Sequence, residues 1–168
     1  MKQLVFTKVT QEHHFKEIEL LANRIWFEHY TPIIGREQVE YMLEKFQSIT
    51  AMTEQTKQGY QYYQLSVDNT FVGYLSFLMK TDTLFLSKIY LEQSVRGQGL
   101  ARQAINFLQE QAQSHQLKSI QLTVNKYNSD SIAAYQKMGF LNKEAIVMDI
   151  GNGFVMDDYL MELPIDSV

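Results

Sequence analysis

Cysteine does not occur among the 168 residues, which excludes a disulfide scaffold, a thiolate metal site and a cysteine nucleophile. Proline occurs twice and glycine eight times, too sparsely for a fibrous repeat or a low-complexity chain. Long apolar runs are missing too, since the most apolar stretch, 71–79, is about half of what a bilayer-spanning helix needs. The opening residues 1–8 carry neither a sustained apolar segment nor a small-residue cleavage site, so the expectation is a soluble, cytoplasmic protein with no membrane partner. Positive charge is the minority, 15 Lys and Arg against 19 Asp and Glu, and a net charge of −4 argues against a nucleic-acid partner. The four histidines, His13, His14, His29 and His115, never stand four apart on one helix face, so no metal site is expected.

What is present is enough apolar material for a packed core: 45% hydrophobic residues against 20% charged, in a length that suits one domain spanning 1–168. Alternation over 2–9 predicts a first strand. Phe15, Ile18, Leu21, Ala22 and Ile25 recur at helical spacing and predict a helix over about 11–30, ended by Thr31-Pro32. Val39, Met42, Leu43 and Phe46 mark a second helix, followed by a polar connection over 48–58. Strands are expected over 60–67 and 70–79 around an Asp68-Asn69 hairpin turn, and over 84–91 after Thr81-Asp82. A helix over 97–116 presents Ala101, Ile105, Leu108 and Ala112 on one face. A strand through Ile120, Leu122 and Val124 follows, then a short helix carrying Ile132, Tyr135 and Met138 and closed by Gly139. Strands over 140–150 and 154–163 bracket Gly151-Asn152-Gly153. The expected order βααβββαβαββ, with seven strands and four helices, is that of a mixed α/β domain.

The segment richest in chemical information runs from Leu91 to Arg102, between a strand and a long helix. A helix N-terminus offers unpaired backbone N–H groups and a partial positive charge, which together hold a phosphate or pyrophosphate. Gly97 and Gly99 let the backbone approach such an anion closely, and Arg96 and Arg102 add charge-assisted bonds. The competing reading is that both glycines merely turn the chain. A kinase-type P-loop does not fit, because no glycine is followed by Lys-Ser or Lys-Thr. A dinucleotide fingerprint does not fit either: its third glycine would fall at Arg102, and Gln121 stands where a ribose-binding acid belongs.

Arg96-Gly97-Gln98-Gly99-Leu100-Ala101 resembles the acetyl-coenzyme A pyrophosphate loop of the GCN5-related N-acetyltransferase (GNAT) family. Residues 128–140 resemble that family's second landmark, an asparagine, a short helix, a tyrosine and Gly-Phe, and the spacing between the landmarks also matches. The resemblance covers nearly the whole chain and implies a mixed, mostly antiparallel central sheet. It implies acetyl-coenzyme A as acetyl donor, with no metal. Backbone groups of Ile89, Tyr90 and Leu91 would line the acetyl group and pantetheine arm. The loop of Arg96, Gly97, Gln98, Gly99, Leu100, Ala101 and Arg102 would hold the pyrophosphate, and Asn128 would contact the pantetheine or position the following helix. Strands 84–91 and 119–126 would run parallel and separate at one end.

The implied reaction moves the acetyl group directly from the thioester to an amine. Tyr135 is the candidate acid for the departing thiolate, and the Leu91 N–H the candidate oxyanion donor; Tyr135 as an ordinary core aromatic is the alternative. Ser87 stands where related enzymes often carry a glutamate base. Glu28, His29, Tyr30, Asp157 and Asp158 are conceivable proton relays, each with an ordinary explanation as a surface or capping residue. Segments 26–34 and 151–159 mix aromatics with carboxylates, which suits a cationic amine with apolar surface, and the general run of the sequence is similar to bacterial polyamine acetyltransferases. A small amine such as a polyamine is the expected acceptor, a protein N-terminus or lysine the alternative. A non-catalytic acetyl-coenzyme A-binding regulatory module is the competing class. A homodimer is expected by family habit.

Overall fold

The computed structural model describes residues 2–166, so Met1, Ser167 and Val168, at the ends of the expected 1–168 domain, lie outside the described residues. The first strand, β1 (Val5–Lys8), leads into α1 (Glu12–His29), whose buried stripe is Phe15, Ile18, Leu21, Ala22, Ile25 and Trp26. Thr31-Pro32 ends α1 as expected and at once restarts the chain as a four-residue helix, α2 (Thr31–Ile34), with proline in its first turn, where no N–H is needed. Gly35, at φ +85°, separates α2 from α3 (Arg36–Gln47).

The expected polar connection over 48–58 is a helix, α4 (Ile49–Lys57). Ser48 accounts for the sharp break between α3 and α4. Its hydroxyl donates to the Glu44 carbonyl (2.8 Å) and accepts from the Ala51 amide (3.1 Å), closing one helix while capping the next. Glu19 of α1 accepts the Ile49 amide (2.8 Å), satisfying another donor of the same helix start. Among the described residues the helix count is therefore six rather than four.

Strands β2 (Gln61–Val67) and β3 (Thr70–Met79) form the expected hairpin, with Asp68 and Asn69 at φ 51° and 64°, the backbone of a type I′ turn. β4 (Thr83–Leu91), a 3₁₀ turn (Gln93–Val95), α5 (Leu100–Ser114), β5 (Ser119–Asn125), α6 (Ser129–Lys137), β6 (Leu141–Gly151) and β7 (Phe154–Pro164) complete the chain. On α5 the residue buried beside Ile105, Leu108 and Ala112 is Ala104, while Ala101 is only partly covered. The seven strands form one sheet in the order β1-β2-β3-β4-β5-β7-β6. β4 and β5 are parallel, and their register covers only Thr83–Phe85 against Ser119–Gln121. The pairs β1·β2, β2·β3, β5·β7 and β6·β7 are antiparallel.

Contacts group the chain into two units. One takes in the chain up to Leu78 together with Lys88–Ile105, the other Met79–Ser87 together with the chain from Asn106 onward. Ile18, Ala22, Val39, Met52, Leu65, Leu75 and Phe77 are fully buried in the first, and Leu84, Leu108, Ala112, Ile120 and Met161 in the second.

Within the first unit, Gly73 of β3 permits a close approach that no other residue allows. A Cβ built there would lie 2.3 Å from the Tyr90 carbonyl oxygen and 2.8 Å from Leu91 Cδ2. Opposite it the in–out alternation of β4 slips: Leu84, Leu86 and Lys88 are buried in alternation, and then Leu91 instead of Tyr90. The Glu92 amide closes the contact by donating to the Val72 carbonyl (2.8 Å). Gly73→Ala is expected to destabilise the fold by about 1–3 kcal/mol, because backbone rather than a flexible side chain must move. Urea denaturation checks this, and a midpoint unchanged from the parent protein would count against it.

Candidate active site

The end of β4 and the start of α5 belong to the first unit, and the geometry of the turn between them follows from two glycines. Gly97 and Gly99 both sit at φ +77°, and a Cβ at either would meet nothing within 4 Å. They are therefore selected by backbone conformation and not by crowding. Arg96 folds back so that its Nε donates to the Leu91 carbonyl (3.0 Å), and Gln98 Nε2 donates to the Ser94 carbonyl (3.5 Å). Among the described residues, the backbone amides of Gly97, Gln98, Gly99, Leu100 and Ala101 donate to no acceptor, while the Gln103 amide begins the helical ladder on the Gly99 carbonyl (3.3 Å). Arg96, Gly97, Gln98, Gly99 and Arg102 are exposed and Leu100 anchors the helix start in the core. A row of five donor amides at the N-terminus of a fifteen-residue helix fits a diphosphate.

Upstream, the strand that would carry the acetyl end is held from below by a residue whose role the sequence does not announce. Lys88 is 5% exposed, and its ammonium donates to the Phe46 carbonyl, to Gln55 Oε1 (3.0 Å) and to the Tyr62 hydroxyl (2.6 Å). It therefore ties the last turn of α3, α4 and β2 to β4. Burial lowers its pKa from 10.5 to about 7. The only advance signal was its place on the inward face of a strand after Leu84 and Leu86.

Next to Lys88 lies an aromatic group. Tyr90 packs edge-on against Trp26 (5.7 Å between centroids) and Tyr30 (6.4 Å), and at a tilt against Tyr74 (5.3 Å). Trp26 and Tyr30 are themselves 4.4 Å apart, and the Tyr74 hydroxyl donates to Gln47 Oε1 (2.8 Å). Arg24 of α1 forms an ion pair with Glu92 just beyond β4. Ile89 and Tyr90 are half-buried and Leu91 is buried.

Asn128 and Tyr135 belong to the second unit. Asn128 is 4% exposed and opens α6: its amide donates to the Asn125 carbonyl (3.0 Å), and its own carbonyl accepts from Ile132 (3.1 Å). Tyr135 is half-buried, its ring edge-on to Phe140 at 5.5 Å, and its carbonyl accepts the amides of Met138 and Phe140 (3.0 Å each). Ser87 carries no acid. Asp158 on β7, opposite Asn125 in register, is the buried carboxylate of this unit. Burial raises its pKa from 3.8 to about 6, against a lowering hydrogen bond from Thr123, a further rise from Asp157 and a further lowering from Lys126. A carboxyl group poised near neutrality has the chemistry of an acid–base group. The neighbouring Asp157 is instead engaged by Lys126 Nζ at 2.7 Å. Among the described residues no cluster of three His, Asp or Glu could hold a metal ion, and no helix is long and apolar enough to cross a membrane.

Comparison with solved structures places this architecture. The PaiA N-acetyltransferase from Thermoplasma acidophilum, solved in complex with coenzyme A, superposes with a TM-score of 0.80 at 16% identity, over 96% of this chain and 99% of the other. The spermidine N-acetyltransferase from Vibrio cholerae, in complex with CoA and spermine, gives 0.68 at 17% identity over 96% and 95%. The ribosomal-protein-S18-alanine N-acetyltransferase from Escherichia coli gives 0.68 at 17% over 99% and 96%. These superpositions show that the chain shares its fold with these enzymes. The model of the acetyltransferase (GNAT) family matches residues 18–140, and the chain belongs to that family.

Proposed function

We propose that this protein is an acetyl-coenzyme A-dependent N-acetyltransferase whose acceptor is a primary amine on a small cationic metabolite of the polyamine type. The observation that carries the reading is the set of five amides, Gly97 to Ala101, without acceptors at the start of α5. They are arranged to receive a diphosphate, and family membership makes coenzyme A the natural bearer of one. Acetyl-coenzyme A supplies an activated thioester. The Leu91 N–H polarises the carbonyl oxygen, Arg96 and Arg102 add positive charge around the loop, and Asn128 orders the start of α6. Tyr135 delivers a proton to the departing sulfur.

A cationic acceptor is supported by Trp26, Tyr30 and Tyr90, which gather beside Leu91 in one unit and whose ring faces attract ammonium groups. The incoming ammonium must lose a proton before attack, since an unperturbed alkylammonium has a pKa of roughly 10. Structural likeness does not choose the acceptor, because the spermidine and the ribosomal-protein enzymes superpose equally well. The deciding experiment follows free-thiol release from acetyl-coenzyme A with spermidine, spermine and N-terminal peptides side by side. Release stimulated by the polyamines supports the proposal. Stimulation by peptides alone moves the acceptor to protein, and tight binding with no stimulated release makes the chain a regulatory module.

The loop has its own test. Gly99→Ala retains the helix but forces a side chain into left-handed backbone, at about 1–2 kcal/mol, and places a methyl group among the donor amides. The KM for acetyl-coenzyme A is expected to rise about tenfold or more with kcat little changed. Initial-rate kinetics at saturating amine check this, and an unaltered KM would remove the loop from the donor site.

A further inference from the structure

Lys88 is the last residue of β4 to keep the in–out alternation and Tyr90 the first to break it, and a longer route through the first unit joins the two. Lys88 Nζ donates to the Phe46 carbonyl in the last turn of α3, and also to Gln55 Oε1 (3.0 Å) and the Tyr62 hydroxyl (2.6 Å). The next residue of α3, Gln47, accepts from the Tyr74 hydroxyl of β3 through its side chain (2.8 Å). The Tyr74 ring packs on Tyr90 at 5.3 Å, and Tyr90 in turn meets Trp26 and Tyr30. The circuit is closed: β4 holds the end of α3 through Lys88, and the end of α3 holds Tyr74 against Tyr90 of the same strand. Lys88, Gln47 and Tyr74 are all buried, so water offers no ready substitute for a partner lost from it.

We propose that Lys88 is the positioning residue of the acceptor face: by fixing the end of α3 it sets Tyr74, and through Tyr74 the tilt of the Tyr90 ring that meets the incoming amine. This rests on the cationic acceptor proposed above. Tyr30 and Tyr90 are half-buried and keep ring surface open to solvent, whereas Trp26, 4% exposed, backs them both. A cation is drawn to the face of an aromatic ring and not to its edge, so a change in the tilt of Tyr90 alters affinity for the amine without altering any charge. The donor side depends on other groups, the amides of Gly97 to Ala101, none of which bonds to a member of the circuit. A lysine is also a poor choice for merely filling this place. Its nitrogen must be given partners when buried, a demand that methionine, of similar volume, does not make. Here that demand is met by joining three elements to β4 immediately before the residue that the acceptor would touch.

Two readouts on the full chain test this in the parent, Lys88→Met, Tyr74→Phe and the double variant, with far-UV circular dichroism confirming that each is folded. The first is initial-rate kinetics with spermidine as acceptor. Each single change is expected to raise the KM for spermidine about tenfold and to leave the KM for acetyl-coenzyme A within about twofold. Because both cut one circuit, the double variant is expected to stay near Lys88→Met alone and not to reach the roughly hundredfold of independent effects. The second readout is the fluorescence of Trp26, the only tryptophan in the chain, which lies against Tyr30 and Tyr90. Its emission is expected to shift in Lys88→Met, although Lys88 bonds to Phe46, Gln55 and Tyr62 and not to the indole. An unchanged spermidine KM in Lys88→Met overturns the proposal, as do equal rises for both substrates, additive effects in the double variant, or an unshifted emission. Should Lys88→Met not fold, the KM split in Tyr74→Phe decides. Should no polyamine stimulate thiol release from the parent, the acceptor reading fails by itself, and the Trp26 emission still decides whether Lys88 sets the ring group.

Discussion

Tyr135→Phe is expected to lower kcat for acetyl transfer by roughly 10²–10⁴, the range lost when a positioned acid is removed. The structure makes this a clean substitution. The ring packs edge-on to Phe140, a contact that phenylalanine keeps, and the hydrogen bonds that Tyr135 contributes at the end of α6 come from its backbone carbonyl. Fold stability should therefore change by no more than about 1 kcal/mol, the ordinary contribution of one hydroxyl hydrogen bond. The KM for acetyl-coenzyme A should stay near its parent value, because the phenol acts when the thiolate departs and not when the donor binds. The loss should shrink at high pH, where a leaving thiolate, whose conjugate thiol ordinarily titrates near about 8.5, needs a proton least. Steady-state kinetics across pH 6–9.5 measure all three quantities. A kcat equal to the parent's would return Tyr135 to the status of a core aromatic.

Features that impose a backbone requirement were legible in the sequence. Asp68-Asn69 announced a hairpin because two successive residues must tolerate positive φ, and they do so at 51° and 64°. Gly97 and Gly99 announced a turn with left-handed backbone for the same reason, and both adopt φ +77°. Long stripes such as Phe15 to Trp26 were legible because a helix lying along a core repeats its contacts. α4 was not, since of Ile49–Lys57 only Met52 is buried, and one core residue makes no period. Its start is encoded in Ser48 and Glu19, and the second of these is thirty residues away in sequence. Gly73 carried a local signal, an isolated glycine inside a strand, but the carbonyl that crowds it belongs to Tyr90. Lys88 was hidden most completely, because its three acceptors come from three different elements and only tertiary structure collects them.

That collection makes the stability of this protein depend on alkaline pH in a specific way. In the unfolded chain Lys88 titrates near 10.5, whereas in the folded protein burial lowers its pKa to about 7. Between those values the unfolded state binds more protons than the folded one, so stability rises with pH through that window. Below about pH 7 both states carry the charge and the penalty is constant; above about pH 10 neither does and it is gone. A displacement of this size corresponds to at most about 5 kcal/mol, lessened by the three hydrogen bonds that the ammonium keeps in the fold. The Tyr62 and Tyr74 hydroxyls, which burial pushes above their ordinary range, oppose this rise near pH 10, where unfolded tyrosines titrate, and they cancel when the parent is compared with a variant that keeps both. Lys88→Met removes the titrating group while filling similar volume. Its stability relative to the parent protein should therefore improve by several kcal/mol as pH falls from 10 to 6, even if the lost hydrogen bonds leave it weaker at the alkaline end. Guanidinium denaturation of both proteins at pH 6, 7.5, 9 and 10 reads this difference directly. A difference that stays constant across the series would mean that Lys88 remains charged in the fold, with its three acceptors outweighing the cost of burial.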